Sequence, residues 1–390
     1  MHVLKFGGTS VANATNISRV IDIVRSAAAK DRVILVSSAI SGCTDKLIAI
    51  EKAAKEGKSF TEEIKFLKDK HFDIINRLFT GSEKKTAEDK CEEIFKEIST
   101  IPDGLEAYGE LLSTNILAYK LSCEGEKTKW INSREIIIKG DIERTYANIR
   151  KVVDENADMR ILVAPGFIAS DTEGRITTLG RGGSDYSAAL YAAGCSAGRL
   201  DIWTDVPGIM TTNPKDVSKA QTVPFMSYDA AWCLAEHGAK VLYPPTVEPA
   251  KNIGLDIHIL NTFDPANPGT VIGTGKASSL WVGISLAKDT LCLVADDKFD
   301  RREAANMIEN TLKRCSIDVM DISFDKGCVL VKVAEGLEKE ALKALHKEFF
   351  QIDENNTRLL YIAGKGAVGT ALRNMIDKTS ENIKAASGKV

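Results

Sequence analysis

His2–Ser10 reads HVLKFGGTS, an apolar run that ends in two glycines and two hydroxyl residues. A stretch with helical spacing around Asn16–Ala29 follows, and then a second apolar run, RVILVSSAI, over Arg32–Ile40. The alternation resumes with RILVAPGFIAS from Arg160 and RLDIWTDVPGI from Arg199. Strand-like runs that alternate with helices are typical of an α/β protein with a largely parallel sheet. We therefore predict an α/β fold whose main sheet includes the first residues of the chain.

The chain changes character after residue 264, because Pro, Gly and Ser concentrate in DPANPGTVIGTGKASS over residues 264–279. Such a cluster marks a domain boundary. The charged stretch 48–100, before it, is expected to form surface-packed helices. Beyond the boundary, the pattern predicts strand 290–295, helix 301–314, strand 318–324, strand 328–333, helix 338–350 and strand 359–363. This βαββαβ order is that of a split ferredoxin-like unit. We predict a main domain over 1–272, a small domain over 281–363 and a tail over 364–390.

Composition narrows the class of protein. The chain has 390 residues with 51 basic and 54 acidic side chains, a net charge of −3. Nucleic acids and anionic membranes both select a basic excess, so neither is expected as a partner. Neither a long apolar span nor a signal-peptide pattern is present, which predicts a cytoplasmic protein. The eight cysteines form no C-x-x-C pair. We expect reduced thiols that pack as small hydrophobic side chains, and no metal site among the cysteines and histidines.

The turn after the first strand carries the first chemical signal. Lys5 precedes Gly7 and Gly8, and Thr9 and Ser10 lead towards a helix. Adjacent glycines let backbone N–H groups approach an anion, and a nearby lysine can neutralise a phosphoryl group. Taken alone, the stretch fits a plain strand-to-helix turn at least as well.

Three further stretches carry polar groups at element ends. GRGGSD from Gly180 precedes an Ala-rich helix; its Arg181 suits bidentate binding of a carboxylate, and its Asp185 fits either a helix N-cap or a catalytic position. Glu110, near the head of a helical stretch, either complements the helix N-terminus or binds a substrate ammonium group. WTDVPGIMTTNPKDV from Trp203 suits a nucleotide-lining loop or a simple turn-rich connection.

Together these motifs resemble those of the aspartokinases, members of the amino-acid kinase superfamily. The matching stretches keep the family's order over residues 1 to about 272: KFGGTSVA from Lys5, SSAISGCTDKL from Ser37, GELLST from Gly109, GRGGSD from Gly180, WTDVPGI from Trp203, HGAKVLYPPT from His237 and NTFDPANPGT from Asn261. The resemblance implies a three-layer αβα sandwich kinase domain followed by a ferredoxin-like regulatory domain of ACT type. It implies transfer of the γ-phosphoryl group of ATP to the β-carboxylate of L-aspartate, the first step of lysine, threonine and methionine biosynthesis.

The resemblance also implies a role for each matching position. Lys5 and Asp185 would be catalytic, with Lys5 stabilising the γ-phosphoryl group and Asp185 lying near the phosphates and metal. The implied substrate-binding residues are Ser38, Thr44, Glu110 for the amino group and Arg181 for a carboxylate. The implied nucleotide-binding residues are Lys5, Gly7, Gly8, Thr9, Ser10, Thr204, Asp205, Met210, Lys215 and Lys240. Mg²⁺ would be held mainly by the phosphates of ATP, and no protein ligand for a metal is implied.

Three positions depart from the family pattern. Met210 stands where the family usually has Tyr, Asn213 replaces the usual Asp, and Tyr243 replaces a common His. Met210 would exchange an aromatic contact to the nucleotide for a thioether, which packs adaptably. These changes concern the pose of the nucleotide rather than the class of enzyme.

The C-terminal block resembles the ACT modules of this family, where an end-product amino acid, here threonine or lysine, binds at a module interface; a docking domain without a ligand is the alternative. Such modules commonly pair, which predicts a homodimer. Gly364, Gly366 and Gly369 form a G-x-G-x-x-G motif, but too little chain follows for a dinucleotide domain, so no NAD(P) is expected. The tail is either the start of a truncated homoserine dehydrogenase domain, which we favour, or the last strand of the module with a capping helix.

Two rival functions stay open at this point. A kinase for another acidic amino acid would share the Gly-Gly turns, but GRGGSD together with GELLST favours aspartate. A non-catalytic amino-acid sensor is disfavoured because Lys5, Asp185 and Lys240 are all present.

Overall fold

A computed structural model of the protein describes residues 1–100, 104–238 and 242–350. Its α-helices are α1 (Ala14–Ala28), α2 (Cys43–Lys55), α3 (Thr61–Leu78), α4 (Gly81–Ile98), α5 (Tyr108–Cys123), α6 (Ser133–Ile136), α7 (Ile142–Glu155), α8 (Gly183–Gly194), α9 (Tyr228–Glu236), α10 (Val247–Asn252), α11 (Arg301–Arg314) and α12 (Glu338–Phe350). Its strands are β1 (His2–Phe6), β2 (Val33–Ser37), β3 (Thr128–Trp130), β4 (Ile161–Pro165), β5 (Ile168–Ser170), β6 (Ile176–Thr178), β7 (Arg199–Thr204), β8 (Phe225–Ser227), β9 (Ile257–Asn261), β10 (Thr270–Gly273), β11 (Trp281–Ala287), β12 (Thr290–Ala295), β13 (Val319–Asp325) and β14 (Cys328–Val333).

The large sheet has eight strands in the order β3-β4-β2-β1-β7-β9-β10-β8. Strand β1 lies between β2 and β7 and is parallel to both, with Lys5 in register with Val36 and Ile202. Strand β10 runs antiparallel to β9 and parallel to β8. The carboxyl ends of the parallel strands meet at one edge of the sheet, where the loops that follow them gather. Ligands bind at this edge in open α/β sheets.

Helices cover both faces of the large sheet. Along β1, Leu4 and Phe6 face a core that includes α1 and α5, whereas Val3 faces a second core that includes α8 and α10. Strands buried on both faces are continuously apolar, which explains why runs such as VILV in β2 lack a polar side. The predicted three-layer αβα architecture is confirmed.

The charged stretch 48–100 consists of the rest of α2 together with α3 and α4, as predicted. One side of α3 is buried, through Leu67, Ile74, Ile75 and Leu78, and its other side is charged. His71 on the same helix is fully buried; burial lowers its pKa to about 4, so its ring is neutral. These helices pack against α5, which carries Glu110.

The second sheet has four antiparallel strands in the order β11-β12-β14-β13. The predicted strand-helix-strand-strand-helix order of the small domain is confirmed, with α11, α12, β12 and β14 at the predicted bounds and β13 shifted by one residue. Strand β11 was not predicted, and it fills the position next to β12. The predicted strand 359–363 and the tail with its glycine motif lie outside the described residues.

Strand β12 has two buried faces. Leu291 and Leu293 pack in a core with α11 and α12, whereas Cys292 and Val294 pack in the core that includes α9. The second sheet is thus covered by α11 and α12 on one side and by α9 on the other. No helix among the described residues combines the length and apolar character needed to span a membrane.

Candidate active site

A cavity of about 370 Å³ opens at the carboxyl edge of the large sheet. Residues from four loops line it, and they include seven of those predicted from the sequence. The predicted residues in its wall are Lys5, Gly8, Ser38, Thr44, Glu110, Arg181 and Asp185. The cavity therefore joins the loops after β1 and β2, the start of α5 and the start of α8.

Lys5 and Asp185 form a buried ion pair in this wall. The Lys5 Nζ lies 2.6 Å from Asp185 Oδ1, and the two residues are only 8% and 9% exposed. Asp185 is the third residue of α8, whose N-cap is Gly182, so Asp185 is not the N-cap. Its carboxylate instead complements the positive helix N-terminus and the ammonium of Lys5. The ammonium is held at the cavity wall, where a transferring phosphoryl group can reach it.

Glu110 is a buried carboxylate with one free oxygen. Its Oε1 accepts a hydrogen bond of 2.9 Å from the amide of Ala39, in the loop after β2. Its Oε2 has no hydrogen-bond partner among the described residues, although Glu110 is only 3% exposed. Burial raises the pKa of Glu110 to about 8. A buried carboxyl group of this kind becomes a strong acceptor once a cation enters the cavity.

Two helices begin at this cavity after left-handed glycines. Gly42 (φ 79°) precedes α2 and Gly182 (φ 72°) precedes α8, and both residues line the cavity. Helix N-termini bind anions through their free N–H groups and dipole. A Cβ at position 182 would also lie 2.3 Å from the side chain of Tyr243. Arg181, exposed in the same loop, adds a positive charge to the rim.

The loop after β1 is held against the loop after β2. A Cβ at Gly8 would lie 2.8 Å from the backbone oxygen of Ala39, so this approach requires glycine. The amide of Ser41 donates to the Gly8 carbonyl at 3.2 Å. On the other side, the Gly7 amide donates to the Trp203 carbonyl at 3.2 Å, which ties the turn to β7.

Of the predicted nucleotide-binding residues that the structure describes, Lys5 and Gly8 lie in the cavity wall and the others do not line it. Thr204 ends β7 at the carboxyl edge, and Asp205 follows it, exposed. Met210 forms an isolated bridge with Thr222. Lys215 is exposed in the turn that follows. Ser10 hydrogen-bonds through its Oγ to Thr262 Oγ1 at 2.7 Å, while Gly7 and Thr9 belong to the turn after β1; Lys240 lies outside the described residues.

Asn213 keeps a local turn where the family usually has Asp. Its Oδ1 accepts from the amide of Lys215 at 3.1 Å, and its Nδ2 donates to Asp216 Oδ2 at 2.8 Å. An aspartate could accept the first hydrogen bond but would repel Asp216. The neighbouring acidic residue therefore gives a physical reason for the amide at this position.

The sequence reasoning missed one residue of the cavity wall with unusual geometry. Phe167 adopts φ 67°, a conformation that bulky side chains rarely take. Its backbone is fixed on both sides, because its amide donates a hydrogen bond to Ser187 Oγ at 3.0 Å and its carbonyl accepts one from the Leu179 amide at 2.8 Å. The Pro165-Gly166 pair, where β4 ends at the carboxyl edge, was the signal that could have indicated it.

Comparison with known proteins gives the family. Residues 1–261 match the model of the amino acid kinase family. The match covers more than half of the chain, so the protein belongs to this family.

Similarity to individual proteins is more specific. The chain is 35% identical to lysine-sensitive aspartokinase 3 of Escherichia coli over 287 residues, covering 69% of this chain and 63% of that protein. Among solved structures, E. coli aspartokinase III in complex with aspartate and ADP matches with a TM-score of 0.66 and 29% identity, over 85% of this chain and 78% of that one. The aspartate kinase of Clostridium acetobutylicum has the same fold, with a TM-score of 0.76 at 21% identity, over 90% of this chain and all of that one.

The curated relatives are longer than this chain. It spans 63% of the E. coli protein, 51% of a plant aspartokinase, and 47% or less of several bifunctional aspartokinase/homoserine dehydrogenases. The activity and the partners of the whole protein are therefore matters for proposal.

Proposed function

We propose that this protein is an ATP-dependent aspartate kinase, which transfers the γ-phosphoryl group of ATP to the β-carboxylate of L-aspartate. The observation that carries the proposal is the buried Glu110 carboxyl group, which lines the same cavity as the Lys5–Asp185 pair and whose Oε2 has no hydrogen-bond partner in the part of the chain that the structure describes. The cavity thus offers an acceptor for an ammonium group next to a cation suited to a phosphoryl group. An amino acid with an acidic side chain carries the matching charges.

The charges of aspartate match the cavity wall group by group. Its ammonium pairs with Glu110, and one carboxylate pairs with Arg181 and the N-terminus of α8. Ser38 and Thr44 contribute polar atoms on the side of α2. The β-carboxylate then lies towards Lys5 and the turn after β1.

The chemical step needs positioning and charge neutralisation more than proton transfer. The side chain of aspartate is ionised at neutral pH, since its unperturbed pKa is about 3.9. A carboxylate oxygen attacks the γ-phosphorus, the bond to the ADP leaving oxygen breaks, and the products are 4-phospho-L-aspartate and ADP. Lys5 neutralises charge on the transferring group, and Asp185 holds the Lys5 ammonium in place. No general base is required.

ATP enters from the side of Thr204 and Asp205, next to the turn after β1. The carboxylates in the cavity wall are Asp45, Glu110 and Asp185, and Asp185 is already paired with Lys5. This donor set fits a Mg²⁺ ion held mainly by phosphate oxygens, with Asp185 as the nearest protein carboxylate. Bound there, Mg²⁺ would neutralise charge that develops on the phosphates.

A different acidic amino acid fits this site less well. An N-acetylated substrate has no ammonium group and would leave Glu110 without its cation. Glutamate would carry the reacting carboxylate one methylene further from Glu110. A pure amino-acid sensor would not need the buried Lys5–Asp185 pair.

The effector, the oligomeric state and the cellular location of the protein remain predictions from the sequence. Lysine or threonine is the proposed effector of the C-terminal module, and the lysine-sensitive E. coli relative favours lysine. A homodimer and a cytoplasmic location are proposed with it. The bifunctional relative from Daucus carota, which matches over 98% of this chain, supports the proposal that the tail begins a homoserine dehydrogenase domain.

Trapping of the acyl phosphate with hydroxylamine tests the proposal. With MgATP, we expect hydroxamate from L-aspartate and only background from glutamate or N-acetylglutamate. Lysine and threonine, added separately, test the effector. Equal hydroxamate from glutamate, or none from any acid, would contradict the proposed reaction.

A further inference from the structure

Three cysteines and a histidine converge where α9 packs against the second sheet. Cys233 lies in α9, His237 directly follows that helix, Cys292 lies in β12 and Cys328 begins β14. One ligand atom from each residue, three sulfurs and an imidazole nitrogen, lies within 4.8 Å of all the others. We call these residues the thiol–imidazole cluster.

The fold brings the four side chains together from two directions. Cys233 and His237 are separated by one helical turn, so their side chains lie on the same face at the end of α9. Strands β12 and β14 are paired, with Val294 opposite Cys328. Cys292 and Cys328 both belong to the core that includes α9. The spacing along the sequence gives no hint of this cluster, because it depends on the packing of two domains.

The donor set and its spacing match a structural zinc site. Tetrahedral zinc binds sulfur at about 2.3 Å, which places two coordinated sulfurs about 3.8 Å apart. The four ligand atoms lie within 4.8 Å of one another, so zinc binding would require only a small decrease in the distances between them. Three thiolates with one imidazole form a common ligand set for structural Zn²⁺. All three cysteines are free thiols, and their exposures of 4%, 1% and 0% keep them from bulk solvent.

The surroundings provide both an entry path and a support for the imidazole. A second cavity, of about 580 Å³, is lined by Cys328 together with Ala230 of α9, Asp325 at the end of β13 and Gly327 of the turn before β14. The Cys328 thiol donates to the Asp325 carbonyl at 2.9 Å, and metal binding would displace this proton. The carbonyl of His237 accepts a hydrogen bond of 2.8 Å from Ser285 Oγ in β11, which fixes the backbone next to the imidazole.

We propose that the thiol–imidazole cluster binds a Zn²⁺ ion that fastens the C-terminal module to the kinase domain. Two ligands come from the end of α9, which belongs to the kinase domain, and two from the central strands of the module. The ion would lock the sheet of the module against α9. It would also fix the residue that begins the HGAKVLYPPT stretch, in which Lys240 is a predicted nucleotide contact.

Metal content and cobalt spectroscopy test the proposal directly. We expect untagged protein, purified without chelators, to contain about one Zn²⁺ per chain by elemental analysis. Protein reconstituted with Co²⁺ should show the ligand-field bands of tetrahedral cobalt and a thiolate-to-cobalt charge-transfer band. Cys292→Ser and Cys328→Ser should lose both signals, whereas Cys315→Ser, an exposed cysteine of the same module, should keep both.

A chelator provides a readout that does not depend on the folding of the variants. Removal of the metal should lower the melting temperature of the wild-type protein and leave that of Cys292→Ser unchanged. The proposal is overturned if wild-type protein loaded with Zn²⁺ retains none after desalting. It is equally overturned if mass analysis of unreduced protein finds a disulfide within the cluster. Neither measurement uses the kinase reaction, so failure here is distinct from failure of the proposed function.

Discussion

The proposed acceptor half of the site, formed by Lys5, Glu110 and Asp185, is enclosed, whereas the proposed nucleotide half, from Thr204 to Lys215, is partly exposed. The three residues of the acceptor half are each less than 10% exposed. In the nucleotide half, Asp205 and Lys215 are exposed. Under the proposed function, this difference predicts that the aspartate pocket is formed before its ligand binds, whereas the nucleotide surface is completed by ATP.

The two halves are also supported by different parts of the molecule. Contacts between loops of the large sheet hold the acceptor half, such as the Gly8–Ala39 approach and the Ala39–Glu110 hydrogen bond. The proposed nucleotide half instead contacts the C-terminal module through Thr211. The Ile284 amide donates to the Thr211 carbonyl at 2.7 Å, and Thr211 Oγ1 lies 2.9 Å from His346 Nε2. We therefore expect a structural change in the C-terminal module to affect the binding of ATP before it affects the binding of aspartate.

Loss of Lys5 should have the largest effect. Lys5→Met removes the cation that faces the transferring phosphoryl group, and we expect kcat to fall by about 10²–10³-fold or more. Steady-state kinetics with both substrates would measure this fall. Because Asp185 is left as an unpaired buried carboxylate, the thermal stability of Lys5→Met should be compared with that of Lys5→Met/Asp185→Asn. Turnover near that of the wild type in a folded Lys5→Met protein would exclude the assigned role.

Glu110→Gln should mainly weaken aspartate binding. Loss of a charge-assisted hydrogen bond predicts a rise in KM for aspartate of about 10–100-fold with a smaller change in KM for ATP. A matched carboxylate outside the site is Glu135, which is exposed, and Glu135→Gln should leave both constants unchanged. Equal effects on both substrates would argue that Glu110 supports the fold rather than the ammonium group.

The same residue predicts a pH dependence of stability. The folded protein keeps the proton of Glu110 up to about pH 8, whereas the unfolded chain loses it near 4.5. The folded state therefore binds more protons between these values, and the contribution of Glu110 to stability is lost as pH rises from 4.5 through 8. The free energy of unfolding in urea, measured near pH 4.5 and again above pH 8, should fall between the two conditions, and the fall should be smaller in Glu110→Gln.

Gly8→Ala should disturb the acceptor half through its backbone. The added Cβ would lie 2.8 Å from the Ala39 oxygen, so the two loops must separate. We expect a loss of about 1–3 kcal/mol in stability, as for other overpacked sites, together with weaker aspartate binding. Gly198→Ala is the matched control, because its Cβ would have no neighbour closer than 4.0 Å. Chemical denaturation of both variants decides whether the close approach matters.

The smallest effect should come from the module. His346→Phe removes the contact to Thr211 while keeping a flat ring next to Phe350. A lost hydrogen bond of about 1 kcal/mol predicts a rise of a few-fold in KM for ATP, with KM for aspartate unchanged. Lys343→Ala, on the exposed side of the same helix, is the control. A change in KM for aspartate alone would reverse the proposed division between the two halves.

The sequence predicts local elements well and contacts between distant loops less well. The alternation of apolar runs predicts the large sheet, and α11 and α12 have the predicted bounds, because these features depend on short-range patterns. Strand β11 was missed because it directly follows a Pro- and Gly-rich linker. The convergence of Cys233 and Cys328 depends on the packing of α9 against the second sheet, and no spacing rule encodes that packing.

The proposed active site shows the same difference between what local sequence patterns predict and what depends on contacts between distant loops. Lys5, Glu110 and Asp185 were identified from motifs, but their chemistry became clear only when the fold placed them in one cavity. The motif leaves open whether Asp185 is an N-cap, and the start of α8, with Gly182 as its N-cap, decides that it is not. The raised pKa of Glu110 follows from its burial, which the motif alone does not indicate.

Calorimetry of aspartate binding tests the proposed acceptor half, and the role of Glu110 in it, most directly. At pH 7 the Glu110 carboxyl group should be largely protonated, since its pKa is about 8, and it must ionise to receive the ammonium of aspartate. Titrations in buffers with different ionisation enthalpies should therefore show release of close to one proton per aspartate bound by the wild type. Glu110→Gln should release none. Binding of aspartate to the wild-type protein without proton release would contradict the assigned role of Glu110.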